Sequence, residues 1–228
     1  MFKVFSSMGA IAFIAVMLLF GHEAHTQQTA PALIQQLGSV VSITGDHSHC
    51  SGWVKAGTQE VVTAAHCTDG DNTEILDVDF GDGKAHPFHI KKKGDVTFVK
   101  GPDLMVLYTN DRTINWPPGF AVCPFSPFYG EELVMMGGPL NRAKSVSFGR
   151  VGNPSVSLED LTSGAKYSRN LIEYDGQLLP GNSGGPAIDV LYQCVIGSAE
   201  LIQSADPLAG ASYGLPFLTP ISDLKVIE

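Results

Sequence analysis

Beyond its first forty residues the chain carries no sustained helical period. Short apolar or alternating runs recur instead, each closed by Gly, Asn or Pro, which is the pattern of strands and turns. Residues 39–44 read as a first strand. Residues 50–55 and 60–63 read as a hairpin around Ala56-Gly57-Thr58, and 64–67 as a tight helical turn that presents His66. Residues 75–80 alternate apolar and acidic positions, as a half-buried strand does, and 86–92, 96–99 and 104–108 complete a first set. Residues 110–118 are polar and end in Trp116-Pro117-Pro118, whose prolines break pairing and mark a connector. A second set follows at 132–136, 145–151, 170–174, 185–191, 194–199 and 211–218. Residues 220–228 read as a short closing helix with Leu224 and Ile227 facing inward. The pattern predicts an all-β chain with two strand sets of similar length, each sufficient for a small Greek-key barrel.

The N-terminus changes the picture of where this domain resides. Lys3 precedes an uninterrupted apolar run at 9–20, and polar residues resume at His22, the layout of a secretory signal. Cleavage is expected near residue 25, after Ala24, although His22 stands where a small residue is usual. The rival is a retained anchor at 4–20, at the short end for a membrane span and weakened by Ser6 and Ser7. Either way the expectation is an exported domain, secreted or anchored outside the cytoplasm, with 26–38 as a polar leader. A membrane is a partner only if 4–20 is retained.

Composition adds exclusions. The 228 residues are 44% hydrophobic and 16% charged, a globular balance, and the net charge of −9 argues against a nucleic-acid surface. The basic run Lys91-Lys92-Lys93 reads as a solvated face. The acidic positions Asp69, Asp71, Glu74, Asp77, Asp79 and Asp82 do not have the spacing of an EF-hand loop and read as a solvated acidic stretch. His47, His49 and Cys50 share one strand without a Cys-x-x-Cys, so no metal is expected there, and no cofactor elsewhere. The cysteines Cys50, Cys67, Cys123 and Cys194 allow three pairings.

The chemistry concentrates in Gly181-Asn182-Ser183-Gly184-Gly185-Pro186. Glycines on both sides of a serine let a carbonyl approach its hydroxyl and the surrounding amides. The amides of Gly181 and Ser183 are the candidates for an oxyanion hole. A serine hydroxyl needs a base, and the base needs an orienting group. Thr63-Ala64-Ala65-His66-Cys67 supplies a histidine, and Pro102-Asp103-Leu104-Met105-Val106-Leu107 an aspartate at the head of an apolar run. Asp95, in the turn-like Gly94-Asp95, is the rival for that aspartate.

These three motifs, in the order His66, Asp103, Ser183, resemble the chymotrypsin/trypsin-like serine peptidase family from about Ser39 to Pro220. The resemblance implies two six-stranded Greek-key barrels packed together, the first at 39–118 carrying His and Asp, the second at 119–228 carrying Ser and the short helix. It implies a serine endopeptidase acting on protein or peptide substrates through an acyl-enzyme. It also implies a Cys50–Cys67 bridge beside the histidine, leaving Cys123 and Cys194 as a second pair or as buried thiols.

In its second half the chain is more similar to the HtrA/Deg and glutamyl-endopeptidase branch, through Gly130-Glu131-Glu132-Leu133-Val134-Met135-Met136-Gly137-Gly138-Pro139-Leu140 and Val195-Ile196-Gly197, with no PDZ domain expected. Asn182 stands where trypsin-like zymogens keep an activating aspartate, and no Ile-Val-Gly-Gly start precedes Ser39, so no trypsin-type activation cut is expected. By offset from Ser183, the resemblance assigns Gln177 or Leu178 to the base of the specificity pocket, Ala199 to its other wall, and Glu200-Leu201-Ile202 to strand pairing with substrate. Leu178 and Ala199 imply an uncharged, apolar P1 residue. The alternatives are a trypsin-fold binding module without catalysis, and a membrane-anchored protease that matures a polyprotein.

Overall fold

A computed structural model describes residues 33–45, 48–68, 74–94, 102–138, 144–159, 166–205 and 212–227. The first barrel comprises β1 (Val40–Thr44), β2 (His49–Val54), β3 (Glu60–Thr63), β4 (Ile75–Asp79), β5 (His86–Lys93) and β6 (Met105–Tyr108). These close in the order β1-β2-β3-β6-β5-β4, all antiparallel, with β4 returning to β1. The second comprises β8 (Glu132–Gly137), β9 (Ser145–Glu159), β10 (Lys166–Tyr174), β11 (Pro186–Asp189), β12 (Cys194–Ala205) and β13 (Ser212–Pro220). Its ring β11-β8-β9-β10-β13-β12 is closed by pairing of β11 with β12. A short β7 (Ala121–Val122) joins β12 in parallel, placing Ala121 opposite Cys194. The double barrel therefore stands as expected, with the C-terminal helix α1 (Leu224–Ile227) after it.

The strands that looked continuously apolar are those buried on both faces. Side chains alternate across a strand, so Met105 and Leu107 fill the first barrel while Val106 faces away. Leu133 and Met135 fill the second barrel, and Val134 and Met136 face away. The outward residues meet in a third apolar layer between the barrels, where Trp53, Val62, Leu104 and Val106 pack with Val134, Met136, Ile188 and Val195. Leu224 of α1 is buried in that layer and Ile227 packs on it, while Val226 points to solvent. This layer fixes the inner edges of the two barrels against one another, and the candidate site lies along them.

Some boundaries differ from the sequence reading. Residues 96–99 lie outside the described residues. β9 runs past Val151 through Gly152-Asn153-Pro154, which composition marked as an end. Tyr174 of β10 pairs with Val151, and a shift in register carries the strand across those residues. β7 has two residues and no periodicity to announce it.

Two disulfides are present. Cys50–Cys67 joins β2 to the turn after β3, and Cys123–Cys194 joins the residue after β7 to the start of β12. The first closes a separation of 17 residues, so its removal by Cys50→Ala with Cys67→Ala is expected to cost about 3 kcal/mol on the chain-entropy model. A urea titration of the oxidised double variant against the wild type measures this.

In the first barrel His86 is buried with Nδ1 2.9 Å from Asp111 Oδ2 and Nε2 3.3 Å from Asp82 Oδ2. The Asp111 bond chiefly raises its pKa, against the opposing effect of burial. A histidine flanked by carboxylates on both ring nitrogens ties the 79–86 and 109–113 segments. Its contribution is fully present below about 6.5 and fades as pH rises through the raised value.

Candidate active site

The helical turn after β3, Ala65–Thr68, carries His66 at the rim of the first barrel. Its conformation is held at both ends. Cys67 N–H donates to the Ala64 carbonyl, Thr68 Oγ1 donates to Ala65 O at 3.0 Å, and Cys67 is bonded to Cys50. Asp103 precedes β6 and is 1% exposed. One of its oxygens, Oδ1, accepts the His66 backbone N–H at 2.8 Å, and the other, Oδ2, lies 2.5 Å from His66 Nδ1. A buried carboxylate at that nitrogen selects the tautomer that carries its proton on Nδ1. The lone pair is then on Nε2, the nitrogen suited to act as a base. The histidine side chain remains 25% exposed, while the aspartate side chain is 2% exposed.

The serine turn is made by consecutive chain reversals. Asn182 N–H donates to Leu179 O at 2.9 Å, with Pro180 and Gly181 at the corner and Gly181 at φ 95°. Gly185 N–H donates to Asn182 O at 2.9 Å, with Ser183 and Gly184 at the corner and Gly184 at φ 81°. Each reversal needs a left-handed residue at its third position, which glycine supplies without steric cost. Gly184 N–H and Ala199 O, and Ala199 N–H and Gly185 O, pair at 2.9 Å and seat the turn on β12. Among the described residues the amides of Gly181 and Ser183 have no carbonyl partner, whereas those of Asn182, Gly184 and Gly185 are committed.

The turn is clamped onto the first barrel by residues the sequence reading passed over. Ser51 N–H donates to Ser183 O at 2.8 Å, and Ser51 Oγ donates to Gly181 O at 2.7 Å. Gly138 N–H donates to Ser51 Oγ at 2.9 Å, and Thr63 Oγ1 donates to Ser51 O at 2.7 Å. A Cβ on Gly184 would lie 2.2 Å from Thr63 Oγ1 and 2.7 Å from Ala64 N. The serine turn therefore rests against the segment that leads directly into His66. The signal for Ser51 and Thr63 was their adjacency to Cys50 and to Ala64-Ala65-His66, small polar residues inside otherwise apolar strands.

The pocket candidates are placed as follows. Leu178 and Ala199 are buried in the core of the second barrel. Gln177 offers its carbonyl to Ser147 Oγ at 3.0 Å. Glu200 is 2% exposed, and Thr219 Oγ1 donates to its Oε2 at 2.7 Å. Leu201 lies in β12, opposite Pro216 of β13. Asn182 is buried, and its Oδ1 has no donor among the described residues. Asp95 and His47 lie outside the described residues. Cys50 is spent in a disulfide, so the His47/His49/Cys50 metal reading lacks its thiolate. Cys50, His66 and Cys67 cluster for the same reason, with both sulfurs bonded to each other. A groove of about 560 Å³ on the second barrel, lined by Glu132, Phe148, Arg150 and Asp175 among others, is not lined by His66, Asp103 or Ser183.

Comparison with known proteins bears on the fold and the family. A family model for the trypsin-like peptidase domain matches residues 50–197, well over half of the chain. The serine protease Do-like HtrA of Bacillus subtilis (strain 168) is 29% identical over 89 residues, which are 38% of this chain and 20% of that protein, so the match spans about a fifth of the relative's length. The crystal structure of the Rv3671c protease from M. tuberculosis in its active form superposes with a TM-score of 0.66 at 20% identity, covering 86% of this chain and 82% of that one. The HtrA-type protease AlgW with tripeptide gives 0.63 at 22% identity, over 87% and 62%. At those identities the structural likeness is one of fold, while the family match spans Cys50, His66, Asp103 and Ser183 together. The chain belongs to the trypsin-like peptidase domain family.

Proposed function

We propose that the chain is a serine endopeptidase in which Ser183 is the nucleophile, His66 the general base and acid, and Asp103 the orienting carboxylate. The observation that carries this reading is the His66 Nδ1–Asp103 Oδ2 contact of 2.5 Å, made beside a glycine turn that holds Ser183 against the segment leading into the histidine. Ser183 Oγ attacks the scissile carbonyl and passes its proton to His66 Nε2. The carbonyl oxygen becomes an oxyanion facing the amides of Gly181 and Ser183. His66 gives the proton to the leaving amine, and water then hydrolyses the acyl-enzyme by the same route. Asp103 stays ionised and stabilises the imidazolium.

Several finer points follow the same reading. The P1 residue is uncharged and apolar, in keeping with Leu178 and Ala199. Catalysis needs no trypsin-type activation cut, because Asn182 cannot form the ion pair that such a cut completes. The domain works in an oxidising compartment outside the cytoplasm, consistent with its two disulfides. Among the described residues no helix is long and apolar enough to cross a membrane. The test is cleavage of casein and of a peptide library by the full chain. Cleavage after apolar P1 residues is expected. A profile dominated by Arg, Lys or Glu at P1 would overturn the specificity assignment, and no cleavage of any substrate would count against the endopeptidase reading itself.

A further inference from the structure

Two carboxyl groups lie buried together at the opposite end of β11 from the serine turn. Glu131, in the turn before β8, is 3% exposed, and Asp189, the last residue of β11, is 2% exposed. Their side chains lie close enough for a hydrogen bond between them once one carries a proton. Each also accepts one backbone amide. Glu131 Oε2 takes the Phe128 N–H at 2.9 Å, and Asp189 Oδ1 takes the Tyr192 N–H. The remaining Glu131 oxygen, Oε1, is buried without an N–H or hydroxyl donor among the described residues.

The neighbouring charges do not resolve this. Glu132 of β8 is turned to Arg150 of β9, whose Nη2 donates to it at 2.9 Å. Asp175, after β10, accepts the Arg150 amide. Tyr129 and Tyr192 are exposed. Cys194 of β12 is in its disulfide. The charge acting on Glu131 is that of Asp189, and it is of like sign. Two adjacent buried carboxylates cannot both ionise without a large cost. A cation site would need more oxygen ligands than this pair retains after its amide contacts. One proton on Glu131 Oε1 solves both problems, because it turns the orphaned acceptor into a donor toward Asp189 and removes one charge.

We propose that Glu131 and Asp189 share one proton and form a pH-sensitive latch, fastening the turn after β11 to the turn before β8 when protonated and releasing it when the proton is lost. The elements around the pair explain why release would be local. β11 is pinned at its start by the serine turn, and along its length by Ala187, Ile188 and Asp189 opposite Met135, Val134 and Leu133. The chain is pinned again at Cys194. Between them, the 190–193 turn carries exposed Leu191 and Tyr192 and holds Gln193 at φ 54°, a left-handed conformation that disfavours a side chain. Tyr192 rests edge-on against Phe125, with centroids 4.8 Å apart. The latch thus ties this strained turn, and the far end of the strand that leaves Ser183, to the Phe128–Glu131 turn.

Burial, followed by the Asp189 hydrogen bond, pushes the Glu131 pKa up to about 8, and the Phe128 amide opposes this only in part. The folded value is raised, so the folded protein holds a proton that the unfolded chain gives up. The associated stability is fully present below about 4.5 and is lost as pH rises to about 8. The inference stands independently of the peptidase reading.

The experiment is a carbon-13 carboxyl titration of Glu131 in the full chain, with amide hydrogen exchange at Tyr192 and Gln193 corrected for the intrinsic pH dependence. The expected result is a Glu131 transition near pH 8 and a loss of protection at the two amides of about tenfold across it. Glu131→Gln keeps a neutral donor toward Asp189 and an acceptor for Phe128, so protection should persist at high pH. In Asp189→Asn the Glu131 transition should fall toward the ordinary carboxyl range. A wild-type Glu131 that titrates in the ordinary carboxyl range overturns the latch. So does protection at Tyr192 and Gln193 that falls identically with pH in wild type and Glu131→Gln. If the glutamine variant does not fold, the wild-type titration decides alone.

Discussion

Replacing Ser183 by alanine is expected to lower peptide hydrolysis by about a million-fold in turnover, with the urea midpoint unchanged. The stability half of this result follows from the turn. The Ser183 carbonyl, not its hydroxyl, accepts Ser51 N–H at 2.8 Å, and left-handed backbone falls on Gly181 and Gly184 rather than on Ser183. Alanine fits without strain and keeps each of those contacts. The activity half follows from the pairing of His66 with Asp103, which leaves Nε2 as a base with no hydroxyl to deprotonate. Asp103→Asn should cost about ten-thousand-fold. The asparagine amide can still face His66, but it can donate where the carboxylate only accepted, and the imidazole then takes the wrong tautomer. Steady-state hydrolysis of one apolar-P1 peptide by the three proteins, with matched urea titrations, checks both halves. Loss of activity with loss of folding would show that Ser183 has a structural rather than a chemical role.

The second large effect comes from a residue that performs no chemistry. Gly184→Ala is expected to cost about 4 kcal/mol, combining left-handed strain with overpacking in a site that cannot relax. The position has φ 81°, and a Cβ there would sit 2.2 Å from Thr63 Oγ1, 2.4 Å from Ser51 O and 2.7 Å from Ala64 N. Two of those three atoms are backbone. Thr63 Oγ1 is itself bonded to Ser51 O, so rotating it away breaks the bond that ties β3 to β2 directly beneath the serine turn. The serine turn must then move off β2, carrying Ser183 away from His66 and the Gly181 amide off its position. Activity should fall by at least about a hundredfold even in the folded fraction. Gly57→Ala is the control. It also has a positive φ, at 75°, but nothing lies within 4 Å of its Cβ, so it carries strain without a clash. Urea titrations of the two variants separate those contributions, and equal costs would contradict the role given to the clamp.

Much of this architecture was legible because its parts have local chemistry. Gly181 and Gly184 announce turns that only glycine can make. Pro180 and Pro186 bracket them, and the residues between have no freedom to be a strand. The apolar runs at 104–107 and 133–136 carry more hydrophobic residues than a one-faced strand needs, and the layer between barrels is the reason. The trypsin-like double barrel follows from those runs and from the order of the three motifs. What escaped the sequence depends on contacts between distant residues. Ser51 is an ordinary strand serine until the second barrel places the Gly181 carbonyl on its hydroxyl. Glu131 and Glu132 look alike as neighbouring acids, yet one is buried on Asp189 and the other faces Arg150 in solvent. β9 continues through Gly152-Asn153-Pro154 because β10 lies beside it to accept a shifted register, a fact no local propensity contains.

The central claim is that Ser183 is a nucleophile activated by His66. The most direct measurement is covalent labelling of the full chain by a fluorophosphonate, with the modified peptide located by mass spectrometry, in wild type and in His66→Ala. Stoichiometric labelling at Ser183 is expected in the wild type, with a labelling rate reduced by about a thousandfold or more in the histidine variant. A folded wild type that does not label at Ser183, or one that labels equally fast without His66, would contradict it and favour a trypsin fold used for binding alone.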